Sequence, residues 1–135
     1  MTTATFLGEF KNLEKIGEFV TKAAEDAGLD ETGIYAVQLA VDEACANIIE
    51  HAYGGEGKGH INITTQNNLD NLTIIIRDNG LKFNPEGIPP PKMNLPLEEI
   101  SPRGLGVYLM QKMMDVVNYE FTQDNGNVLT MVKRK

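Results

Sequence analysis

The stretch from Glu31 to Tyr53, ETGIYAVQLAVDEACANIIEHAY, constrains the fold more than any other part of the chain. Ile34, Val37, Val41, Ala44 and Ile48 recur at intervals of three and four, so they share one face of a helix and make it a core element. Glu43 and Asn47, also four apart, form a second stripe beside the first, at the border between buried and open surface. Burying Val37, Val41 and Ile48 contributes about 1.5 to 3 kcal/mol each. An unpaired buried carboxylate costs several kcal/mol, so Glu43 must face water, a partner or a cation. A solvated helix face has the same spacing, and only companions elsewhere in the chain can decide between the two.

With 135 residues the chain is the size of one domain, large enough to build a core without disulfides or metals. A net charge of -7 makes a nucleic-acid backbone an unsuitable partner, because phosphate binding needs clustered Lys and Arg. Cys45 has no intrachain partner, and the sequence shows no basic-then-apolar leader and no apolar run of membrane-spanning length. These features lead to the expectation of a soluble, cytoplasmic protein without membrane contact. Inside the long helix Cys45 reads as a small buried hydrophobe rather than a nucleophile. His51 and His60 lack ligand-spaced partners, which argues against a histidine metal site.

Thr3 to Phe10 alternates loosely and predicts a short first strand. Asn12 stands where an N-cap would, and Leu13, Ile16, Phe19, Val20 and Ala23 follow helical spacing until Gly28, suited to the residue after a helix end. Asp30 can cap the long helix, which runs out at Gly54-Gly55. His60 to Gln66 and Asn71 to Arg77 read as a β-hairpin, and Ile74-Ile75-Ile76 as a central strand covered on both faces. Asp78-Asn79-Gly80 follows as a strand end and turn.

All six prolines lie between Asn84 and Arg103, where the apolar residues keep no period. A connection of this length inside a compact domain predicts a functional loop, here a lid over residues 84–103. Gly104-Leu105-Gly106 then opens a helix to about Met114, and Val116 to Thr122 and Asn127 to Lys133 form a second hairpin around Asn125-Gly126. The order predicts a single domain over 1–135 of the α+β class: a two-layer α/β sandwich with helices on one face of a mixed, mostly antiparallel sheet.

Three chemical signals follow one another: E-x-x-x-N on a helix, D-x-G at a strand end, and R-G-L-G at a helix start. Gly104 and Gly106 would let backbone N–H groups approach an anion in the favourable field of a helix N-terminus. Asp78 could accept a hydrogen bond from an exocyclic amine, with Gly80 leaving room for a flat ring. Each has a plainer explanation as a packing turn or a turn-stabilising Asp.

Taken in order, these residues resemble the nucleotide site of the gyrase, histidine-kinase and heat-shock-chaperone ATPase superfamily, whose fold is the Bergerat sandwich. AVDEACANIIEHAY, RDNGLKFNP, RGLGVYLMQKMMD and GNVLTMVK resemble its branch of stand-alone anti-sigma-factor serine kinases. The resemblance implies ATP and Mg²⁺, with Glu43 as general base and Asn47 as Mg²⁺ ligand. It assigns Asp78 to the adenine amine, Gly80 to close approach of the base, Gly104, Leu105 and Gly106 to the phosphate-facing turn, and Thr130 to a hydroxyl near adenine. Arg103 is placed to meet a phosphate, and closure of the lid would exclude water. The partners implied are an anti-sigma antagonist protein, phosphorylated on serine, a sigma factor, and a second copy in a homodimer. Lys82 stands where the commonest superfamily pattern has a second glycine, and no G-x-x-x-x-G-K-[ST] run is present. The alternative function is an ATP-binding module that regulates its partner by binding without phosphotransfer, and a structural domain without nucleotide is a third.

Overall fold

The computed structural model describes residues 1–83 and 102–135, with side chains described outside 102–105. Five strands, β1 (Thr2–Leu7), β2 (His60–Asn67), β3 (Asn71–Asp78), β4 (Val116–Thr122) and β5 (Gly126–Arg134), form one sheet in the order β1-β2-β3-β5-β4. Three α-helices, α1 (Leu13–Asp26), α2 (Glu31–Asn47) and α3 (Pro102–Met113), together with a 3-10 turn at Phe10–Asn12 and a π-helical turn at Ile48–Ala52, complete the described fold. Of the lid expected over 84–103, residues 84–101 lie outside the described residues, and Pro102 and Arg103 belong to α3. None of the described helices is long and apolar enough to cross a membrane.

Side-chain alternation sets the two faces of the sheet. Ile61 and Ile63 of β2, Leu72, Ile74 and Ile76 of β3, and Leu129 and Met131 of β5 are buried with Val37, Val41 and Ala44 of α2, Ile48 just after it, and Ile16 and Val20 of α1. The α2 stripe is thus the core face anticipated from its spacing, and Cys45 is fully buried within it.

Two expectations about the sheet need correction. Every neighbouring pair is antiparallel, so no parallel component exists among the described strands. The chain reaches the far edge with β4 and returns as β5 between β4 and β3, which makes both of its pairings antiparallel. Nor is β3 covered on both faces: Ile75 points away from the helices, half-buried between Thr64 and Thr130, its register partners.

Local chemistry fixes the element ends. Gly28 adopts φ +81°, and Leu29 N–H donates to Ala24 O at 3.1 Å, closing α1. Asp30 caps α2, its Oδ1 accepting from Gly33 N–H at 2.8 Å. Asn12 does not cap α1; its Nδ2 donates instead to Leu7 O at 2.8 Å, tying β1 to the helix start. The long helix ends differently from its sequence pattern. After Asn47 the backbone widens into a π-helical turn, Ile48–Ala52, and Tyr53 N–H bonds Ile48 O at 2.9 Å.

Candidate functional site

The π-helical turn brings the end of α2 over the ends of β3 and β5. Between them lies a narrow cleft, part of it open to solvent. Ala44, Ile48 and Leu129 supply aliphatic walls, while Phe83 and Tyr119, with ring centroids 4.8 Å apart, supply an aromatic one. Three polar side chains enter it: Asn47, Asp78 and Asn127.

Asp78, the last residue of β3, is 5% exposed. Its Oδ1 accepts from Gly80 N–H and from Asn127 Nδ2, both at 2.9 Å. Among the described residues its Oδ2 accepts nothing. Burial pushes the carboxyl above the usual carboxylate range, and the two hydrogen bonds to Oδ1 oppose that shift.

Asn47 is 8% exposed, and its side-chain amide makes no hydrogen bond to any described residue. Leaving a buried polar group unpaired costs about 1 to 3 kcal/mol, so this amide calls for a ligand. The two unsatisfied groups line one mostly apolar cleft, a combination suited to a ligand with an apolar face and a polar edge.

Glu43 stands one helical turn before Asn47, outside this cleft and half-buried. Partial burial, and then the charges of Asp42 and Glu50, raise its carboxyl above the usual range. A Cβ placed at Gly106 would overlap the Glu43 carboxylate, so the glycine is what lets the first turns of α3 lie against Glu43. The E-x-x-x-N helix and the R-G-L-G turn are therefore neighbours in space. Pro102 begins α3, where its missing N–H costs nothing, so Arg103, Gly104 and Leu105 belong to the first helical turn. Of these three only the backbone is described.

Gly80 has a structural reason of its own. A Cβ there would sit 2.6 Å from the carbonyl carbon and oxygen of Ala52 in the π-helical turn, and Leu81 N–H donates to that oxygen at 2.8 Å. The glycine holds the strand end against the helix end, and contact with Ala52 suffices to explain it. Lys82, at the departed glycine position, lies over the Phe121 ring, 5.9 Å from its centroid.

Thr130 is a correction. Asn127, Leu129 and Met131 of β5 face the helices, so Thr130 faces the other side of the sheet, opposite Ile75 and Asn118. The side chain that reaches Asp78 is Asn127, three residues earlier. Two-residue alternation back from Leu129 was the signal that pointed to it. Among the described residues no three His, Cys, Asp or Glu side chains group as a metal cage. A divalent ion held by Asn47 would therefore draw most of its oxygens from phosphates and water, as Mg²⁺ commonly does.

Residues 7–133 match the family model of the histidine kinase-like ATPase domain, and the chain belongs to that family. Among its relatives are proteins named serine-protein kinase RsbW. The one from Bacillus mycoides is 36% identical over 101 residues, covering 72% of this chain and 61% of the relative. Those from Bacillus cereus and Halalkalibacterium halodurans are each 33% identical, over 82% and 84% of this chain and 69% and 70% of their own lengths. The chain thus spans about three fifths to seven tenths of these relatives.

Proposed function

We propose that this chain is an ATP- and Mg²⁺-dependent serine protein kinase and anti-sigma regulator. In this reading it phosphorylates an anti-sigma antagonist protein, binds a sigma factor, and acts in the cytoplasm as a homodimer. The observation that carries the nucleotide reading is the pair of buried, unsatisfied polar groups facing one cleft, Oδ2 of Asp78 and the amide of Asn47.

The residues divide the work by chemistry. Oδ2 of Asp78 accepts the exocyclic amine of the base, whose faces rest on Ile48, Leu129 and the Phe83–Tyr119 wall. The Asn47 amide oxygen is a hard ligand suited to Mg²⁺, and the bound ion supplies neutralisation of phosphate charge. Glu43 takes the proton leaving the serine hydroxyl. Its raised pKa makes it a stronger base than an ordinary glutamate, and its place one turn from Asn47 keeps it beside the metal-holding group.

Incubation with labelled ATP, Mg²⁺ and the antagonist protein should yield phosphoserine. Glu43→Gln should abolish transfer while leaving ATP binding within a few-fold of wild type. Absence of phosphoserine from the wild type, with partner regulation still dependent on ATP, would replace the kinase with the binding module.

A further inference from the structure

Asn127 is 7% exposed, and both of its amide hydrogens are spent on the protein. Nδ2 donates one hydrogen to Oδ1 of Asp78 at 2.9 Å and the other to Leu81 O at 2.8 Å, while Oδ1 accepts from Phe83 N–H at 2.9 Å. It therefore has no donor left to offer a base. Its effect on a base must pass through Asp78, whose Oδ1 it occupies together with Gly80 N–H, leaving Oδ2 as the acceptor presented to the cleft.

We propose that Asn127 is the positioning residue that makes the base pocket select an amine over a carbonyl, and that it ties this selection to the placement of Leu81–Phe83. The proposal rests on the nucleotide reading above. Held by two donors on Oδ1, Asp78 is fixed with Oδ2 left over, and in its ionised form Oδ2 accepts only: adenine's amine fits, and the C6 carbonyl of hypoxanthine meets a lone pair. Without Asn127 the carboxyl loses one of the two bonds that favour its charged form, and a protonated Asp78 can donate to that carbonyl. The other titratable groups facing Asp78 are Tyr53 from the turn after α2 and Cys45 from α2. Burial raises both above their ordinary values and leaves them neutral near pH 7. Phe83 is held by the same amide and lines the same cleft, so fixing Asp78 with a base also steadies Phe83 N–H.

The test is the ratio of ITP to ATP dissociation constants, measured from pH 5 to pH 8 for wild type, Asn127→Leu and Asn127→Asp. This ratio does not depend on what fraction of a variant is folded. Wild type should favour ATP at least tenfold at pH 8, and Asn127→Leu less than threefold. Selectivity declines as pH falls through the Asp78 titration. In Asn127→Asp a second carboxyl beside Asp78 should move the midpoint of that decline to higher pH. ATP should slow hydrogen exchange at Phe83 N–H in wild type and not in Asn127→Leu. Selectivity and midpoint unchanged in both variants would overturn the proposal while leaving the nucleotide site intact. Wild type that binds neither nucleotide would overturn the nucleotide reading itself.

Discussion

Asp78 and Glu43 are carboxyls that folding makes harder to ionise. Because their folded pKa values are raised, the stability they contribute is complete below the ordinary carboxylate pKa and is lost as pH rises through the raised values. Asp78→Asn removes that loss while keeping an oxygen for Gly80 N–H and Asn127 Nδ2. Its melting temperature should therefore decline less than wild type's from about pH 4 to pH 7. Parallel melting curves over that range would contradict the assignment. The same variant places an amide N–H where Oδ2 stood, so the stabler protein should bind ATP worse. At this scale the meeting of Asn47 and Asp78 at one cleft was legible from the order of the motifs, since each residue taken alone has a plainer structural explanation. Asn127 was not, because choosing Thr130 for its hydroxyl overrode the strand alternation that turns Thr130 away.

The end of α2 is where the elements meet. Helical spacing continued through Tyr53, yet the backbone widens at Ile48, since a hydrophobic period does not distinguish an α turn from a π turn that keeps Ile48, Ile49 and Ala52 buried. That turn presents Ala52 to Gly80 and Leu81. Gly80→Ala forces backbone atoms apart and should cost about 1 to 3 kcal/mol in urea denaturation, with weakened nucleotide binding. A neutral result would show that the contact yields freely. At Gly106 the obstacle is the end of a flexible side chain, and alanine gains about 1 kcal/mol in helix propensity. Gly106→Ala should thus leave stability nearly unchanged and lower phosphotransfer at least tenfold by displacing Glu43. A fully active variant would remove the argument that their apposition matters. The edges of the two hairpins and Gly28 were readable from alternation and turn chemistry, whereas β1 stops at Leu7 short of the expected Phe10, and the parallel component expected of the sheet was not found, because strand order depends on where β4 and β5 settle rather than on their own residues.

For the whole molecule, the layers follow from one apolar face on α2 and alternating strands, and they leave a cleft at the strand ends with its polar groups unfinished. A ligand completing those groups should act on the entire fold. Mg²⁺ and ATP at 100 times the dissociation constant should stabilise it by about 2.7 kcal/mol, raising the melting temperature by on the order of 10 °C. The sequence carried as far as the α+β layers and the family because element order and motif order agreed; partner identity lies in surface shape that no spacing encodes. Calorimetric titration of ATP with Mg²⁺ into wild type and Asp78→Asn tests the cleft most directly. Saturable single-site heat from wild type, weakened at least a hundredfold in the folded variant, is the expected result. Equal affinity in both proteins, or no binding by either, would contradict the assignment of the cleft to a nucleotide base.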